Sequence, residues 1–202
     1  MWRVTLSQRP SLVLFRYLFI MAALLSCGLS GSVLARVIGP PAVPHDATLL
    51  QALRAIDVVP SAKQLRALDP QVEDALYRVA CDETLKSYVR KRSVSFLSLF
   101  GDSEVARLRM RQLTERALRP ALQWLSRYSY VRAWGPRDPD EVLSVAKTWL
   151  QAQEPLMREA IVRALRWVPG DEVIRMVEAL AARERAPVVM AAIRAFERHR
   201  GR

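Results

Sequence analysis

Asp140-Glu141-Val142 and Asp171-Glu172-Val173 each open a run of helical periodicity, and they lie 31 residues apart. At that offset Met157-Arg158-Glu159-Ala160-Ile161-Val162-Arg163-Ala164-Leu165 falls over Val188-Val189-Met190-Ala191-Ala192-Ile193-Arg194-Ala195-Phe196. Apolar positions meet apolar positions, and Arg163 meets Arg194. A helical unit that recurs at roughly 30 to 47 residues cannot bury its apolar face alone, so its copies must stack.

Read back along the chain, the same punctuation recurs at Asp69-Pro70, Asp102-Ser103-Glu104-Val105 and Asp138-Pro139. Four units follow, at 69–101, 102–137, 138–170 and 171–202. Pro120, Pro155 and Pro187 mark the start of the second helix in three of them, where a missing N–H costs nothing. In the first unit Asp69 reads as the N-cap with Pro70 at the first helical position. Its second helix is expected over about residues 83–100, capped by Asp82, with Val89, Ser93, Phe96, Leu97 and Phe100 on one face. In the second unit Val105, Leu108 and Leu113 are expected to face the core, with Ala121, Leu122, Leu125 and Tyr128 on the partner helix. Residues 47–68 hold two shorter helical patterns, with Leu49, Leu50, Leu53 and Ile56 in register, and read as a helical cap. Alternating patterns are absent, so the expected fold is all-α: a short α-solenoid of about four helix hairpins behind an N-terminal cap.

The second helices resemble HEAT repeats, in which an apolar residue is followed by Arg and, further on, by a small residue and apolar positions. Met157 to Leu165 carries the pattern well, Val89-Arg90-Lys91-Arg92-Ser93-Val94-Ser95-Phe96-Leu97 carries it in part, and the fourth unit has Val189 in place of the Arg. The resemblance spans Asp69 to Arg198. It implies a right-handed stack with a concave surface lined by second helices. Proteins of this type are mostly binding scaffolds, and some act on nucleic acid or on cofactor-bearing proteins.

The N-terminus has a different character. Arg3, Arg9 and Arg16 precede Tyr17–Ala35, which has no charge and ends in small residues, as a secretory signal does. Val33-Leu34-Ala35 places cleavage after Ala35. Leu24-Leu25-Ser26-Cys27-Gly28 resembles a lipoprotein signal, with Cys27 as the lipidated residue, and the stretch is also long enough to remain as a membrane anchor. Simple export ranks first, lipidation second and anchoring third. Residues 36–46, with Gly39-Pro40-Pro41 and Pro44, read as an extended linker. The expected location is the bacterial cell envelope, periplasmic or membrane-attached. After cleavage Cys81 is the one remaining cysteine. It sits in an apolar helical context that fits a small core residue better than a reactive thiol.

The chain of 202 residues has a net charge of +11, and only four of its 31 basic side chains are lysine. Guanidinium pairs with carboxylate or phosphate and stacks on aromatic rings. No nucleophile elbow, phosphate loop, zinc-binding His-Glu-x-x-His or paired Cys-x-x-Cys occurs. The two histidines, His45 and His199, are far apart. Acidic residues gather at helix starts, where they cap N–H groups and favour the dipole. No catalytic residue, metal ligand or cofactor is expected.

The leading expectation is a non-catalytic scaffold that binds a protein partner, an acidic one by charge. Two sets of residues are candidates for contact: the stretch Trp124, Arg127, Tyr128, Tyr130, Arg132 and Trp134, rich in interface-prone types, and Arg158, Arg163, Arg166, Arg194 and Arg198 on the second helices. Core packing of the aromatics and solvation of the arginines explain the same residues. An alternative is capture of acidic lipid headgroups or nucleic acid by the arginines, with the export signal weighing against nucleic acid. An enzyme ranks third, on analogy with the fold alone.

Overall fold

The computed structural model describes residues 45–201 apart from Ile56 and Ala117, so the signal segment, Cys27, Ala35 and most of the Pro-rich linker lie outside the described residues. The described residues are all-helical. Helix α1 spans Ala47–Arg54, α2 Ala62–Leu68, α3 Val72–Cys81, α4 Ser87–Leu97 and α5 Glu104–Glu115. Helix α6 spans Pro120–Trp134, α7 Pro139–Trp149, α8 Pro155–Leu165, α9 Asp171–Ala181 and α10 Pro187–His199.

From α3 onward the helices pack as pairs: α3 with α4, α5 with α6, α7 with α8, and α9 with α10. The second helices also pack on one another in sequence, α4 on α6, α6 on α8 and α8 on α10, while α1 covers α4. Each inner second helix therefore buries more than one side. Helix α6 buries Leu122, Ser126, Ser129, Tyr130, Val131 and Trp134, positions that no single stripe contains. Among the first helices, α3 packs closely on α5. A groove of about 360 Å³ separates α7 from α9, with Leu150, Met176 and Leu180 among its lining.

The prolines hold their expected places: Pro120, Pro139, Pro155 and Pro187 all stand in the first turn of a helix. Asp138 caps α7 through Glu141 N, and Gly170 adopts φ of 93°, a left-handed backbone that turns the chain into α9. The inward face of α4 is as expected, with Val89, Ser93, Phe96 and Leu97 all buried, and Phe100 is buried in the turn that follows, since the helix ends at Leu97 rather than near residue 100.

Two caps differ. Asp69 accepts Gln71 N at 2.7 Å in a tight turn after α2, so Pro70 lies in that turn and α3 begins at Val72. Asp82 is likewise engaged locally. Its Oδ1 accepts from Thr84 N and Thr84 Oγ1, and its Oδ2 meets His45 Nε2 at 2.8 Å. With that carboxylate committed to the turn, α4 starts at Ser87, later than expected, behind an uncapped Lys86. The buried face of α5 is also rotated. Ala106, Met110, Leu113 and Thr114 point inward, whereas Val105 and Leu108 are exposed, because the close neighbours α3 and α6 lie on the other side. On α6, Ala121 is exposed and Leu125 and Tyr128 are half-buried.

Gly135 ends α6 beneath Val168, in the loop after α8. A Cβ built on Gly135 would stand 2.5 Å from both Val131 O and Val168 Cγ2. Backbone and a buried side chain leave little room to yield. Gly135→Ala should cost about 1–3 kcal/mol through overpacking, read as a lower urea midpoint at unchanged slope. An unchanged midpoint would mean that the α6 end and the α8–α9 loop separate freely.

Candidate interaction surface

The aromatic stretch on α6 divides between interior and surface. Tyr130 is fully buried, stacks on Trp134 at 5.6 Å and meets Trp149 of α7 edge-on at 6.1 Å. Its hydroxyl donates to Glu141 Oε1 at 2.9 Å, and burial, helped by that carboxylate, pushes its pKa to about 12. Arg127 lies 5.2 Å over Trp149 and donates from Nε to Thr114 O at 3.3 Å, with burial lowering its pKa. Tyr130, Trp134 and Arg127 thus belong to the joint between the second and third helix pairs and form no outward patch. Trp124 is half-buried and donates from its indole N–H to Glu154 Oε2 at 3.0 Å, tying α6 to the start of α8. Tyr128 and Arg132 of this stretch line an open groove between α4 and α6, and Trp134, itself 3% exposed, borders a second one beside Asp102 and Asp138.

Arg158 is also structural. Its Nε and Nη2 fork onto Glu184 Oε2 and Oε1 at 2.7 and 3.0 Å, and its Nη1 donates to Ala152 O and Gln153 O. Glu184 is 6% exposed and accepts in addition from Arg185 N and Ala186 N. One ion pair thereby ties the α7–α8 loop to the α9–α10 loop. Arg90 is placed alike in the first pair. It is buried and donates from Nε to Ala80 O at 3.0 Å.

Three of the remaining candidate arginines stand where second helices end. Arg132 and Arg163 stand in the last turns of α6 and α8, and Arg198 in that of α10. The negative end of each helix dipole stabilises a cation there by about 0.3–1 kcal/mol, without a carboxylate being needed. Arg132 and Arg166 both lie over the Trp167 ring, at 5.7 and 5.1 Å, and His199 meets it edge-on at 5.8 Å. Trp167 is itself 41% exposed. A groove of about 260 Å³ between α8 and α10 has Arg163, Arg166 and Arg198 on its walls and Ala191 and Ala195 below. Arg163 is braced by Glu159 at 2.6 Å. Arg194 is exposed but outside that lining, so the expected register of Arg163 with Arg194 is not the one that frames the groove.

A larger groove of about 560 Å³ lies between α4 and α6, bordered by Arg92, Arg132 and Arg137 and with no carboxylate among its lining residues. Sequence patterning missed Arg92, Arg137 and Trp167. Each acquires its surroundings from a neighbour some 30 residues or more away in the chain (Arg92 from Val58, Trp167 from Arg132 and His199).

Among the described residues no group of three or more His, Cys, Asp or Glu side chains is placed to hold a metal ion, and no helix is long and apolar enough to cross a membrane. Cys81 is half-buried with its thiol pKa pushed up by burial, against the pull of the nearby Arg116. No protein-family model, curated protein or solved structure matches this chain.

Arg158, with help from Ala186 N and Arg185 N, holds the Glu184 carboxyl at about 2, below the ordinary 4.5 and against the cost of burial. A carboxyl depressed on folding adds stability above its unfolded pKa and loses it as pH falls through the folded value. Between the ordinary 4.5 and about 2 the native chain should lose a component that Glu184→Gln lacks. That component is on the order of 2–3 kcal/mol. Urea titrations of both proteins at pH 6, 4 and 2.5 should show their stabilities converging, and parallel pH profiles would remove the ion pair from this role.

Proposed function

We propose that this chain is a non-catalytic scaffold of HEAT-like type: a right-handed α-solenoid of four helix pairs with α1 and α2 as its cap. The recurrent Asp-Glu-Val openings, the prolines at second-helix starts and the stacking of α4, α6, α8 and α10 support this reading. Its basic N-terminal leader favours export to the bacterial cell envelope, with cleavage after Ala35 ahead of lipidation at Cys27 or retention as an anchor. The working surface is the second-helix layer, and the partner is a protein with acidic character.

The observation that carries the assignment is the run of guanidiniums along the α4–α6 and α8–α10 grooves. Arg132, Arg137, Arg166 and Arg198 form no ion pair among the described residues. On the first helices four of the five arginines are matched with acids, as in Arg107 with Glu104, Asp138 and Glu141, and Arg109 with Asp74. Depletion of carboxylates on one layer alone leaves that layer electropositive, which speeds encounter with acidic partners and sets their orientation. A second reading, attachment to acidic lipid headgroups, draws on the exposed Trp167 between two arginines, since aromatic rings and cations together suit a membrane interface.

A photo-reactive side chain introduced at Tyr128 or Arg194, on the second-helix layer, should trap a discrete protein adduct in intact cells. One at Leu108, on the opposite layer, should not, and mass spectrometry of the trapped chain reads its processed N-terminus. Adducts confined to Leu108, or an unprocessed chain in the cytoplasmic fraction, would overturn the assignment of surface or of location respectively.

A further inference from the structure

We infer that the α4–α6 groove is a subsite for an extended peptide segment in which one bulky aliphatic residue is flanked by carboxylates. The inference rests on the second-helix layer being the partner surface, and it names the chemistry of the segment that this layer takes.

The groove has two kinds of wall. Phe96 and Leu99 of α4 with its following turn, and Leu125 and Tyr128 of α6, supply an apolar floor, and Leu99 is 41% exposed. Ser95, Ser98 and Ser129 are small enough to keep the space between the helices open. The hydroxyls of Ser95 and Ser98 donate to Lys91 O and Ser95 O, so their protons are engaged by backbone. Recognition of an anion therefore falls to the guanidiniums.

Arg137 is built into its place. Its Nη1 donates to Ala133 O at 3.1 Å and stands 3.0 Å from where a Cβ on Gly101 would be, so the absence of a side chain at Gly101 admits it. Arg132 is held over Trp167. Both keep further N–H donors for a ligand, since a guanidinium has five. A lone anion would satisfy the rim and leave the Leu99–Leu125–Tyr128 floor in water. An aliphatic peptide would cover the floor and leave the two rim cations unmatched. A segment with both features satisfies both walls, and the same two-part match separates it from phosphate and from a flat lipid surface.

The test uses the full chain and three labelled synthetic ten-residue peptides. The first has a central Leu flanked by two Glu on each side, the second replaces Leu by Ala, and the third replaces the Glu residues by Gln. Fluorescence anisotropy should give binding to the first peptide that weakens at least about tenfold for each of the others and falls with added salt. Arg132→Glu and Arg137→Glu should each weaken the first peptide by about tenfold, whereas Arg183→Glu, an equal charge change on the α9 end, should stay within about twofold. Circular dichroism on each variant confirms folding, and Arg132→Gln serves where the Glu variant does not fold. Equal affinity for the Leu and Ala peptides overturns the subsite while leaving an acidic-partner surface intact. Equal loss with Arg183→Glu overturns the surface itself. Vesicles of phosphatidylglycerol bound in preference to all three peptides would assign the groove to lipid and overturn the peptide reading.

Discussion

The constraint on which the structure depends is the packing of second helix on second helix. Helix α6 packs against four helices, α4, α5, α7 and α8, and keeps only a narrow face open along the α4–α6 groove. A helix so enclosed cannot be amphipathic in the ordinary sense, and it fills its contacts with residues chosen for size. Ser126 and Ser129 allow close approach, whereas Tyr130 and Trp134 fill the wider gap toward α7 and Trp149. The Tyr130 hydroxyl is tolerable inside because Glu141 accepts its hydrogen bond, which spares the roughly 1–3 kcal/mol an unmatched buried group would cost.

Ion pairs link α5 to the start of α7 and add to the close packing of α3 on α5. Arg107 on α5 reaches Asp138 and Glu141 at the start of α7, and Arg109 reaches Asp74 on α3. These pairs are partly exposed, and each adds about 1 kcal/mol or less. Arg158 with Glu184 is different in kind, since Glu184 is almost wholly enclosed and both of its oxygens accept hydrogen bonds. Losing either partner of such a pair costs about 3–5 kcal/mol because the other is stranded. Guanidinium suits the task, for it forks onto a carboxylate and still reaches loop carbonyls.

The outline of the fold was legible because helix boundaries have local causes. Pro120, Pro155 and Pro187 can stand only at helix starts, and α4 buries the face its periodicity requires. Asp69 and Asp82 were misleading for an equally local reason. An aspartate before a helix can bind the helix N–H groups or close its own turn, and sequence does not say which. The face of α5 and the fate of Tyr130, Trp134 and Arg158 were not local at all. Each depends on which neighbour arrives from 11 to 35 residues away, as Glu141 does for Tyr130 and Asp74 for Arg109. Aromatic and arginine side chains serve interiors and interfaces alike, so composition alone could not separate Tyr130 from Tyr128, two residues apart and on opposite sides of the core boundary.

The electropositive layer follows from the same economy of acids. The chain has 20 acidic against 31 basic side chains, and its acids are concentrated at first-helix starts and in the pairs that link first helices or loops. Second helices carry no acid in their first turns, and three of the four end in cations. Helix dipoles favour those cations where they stand, and of the three arginines only Arg163 is also paired, with Glu159. A surface arranged in this way is stable alone and still electrostatically unmatched. Four of its unpaired guanidiniums, Arg132, Arg137, Arg166 and Arg198, line two grooves, and the groove between α4 and α6 sets Leu99, Leu125 and Tyr128 beside them as an apolar floor.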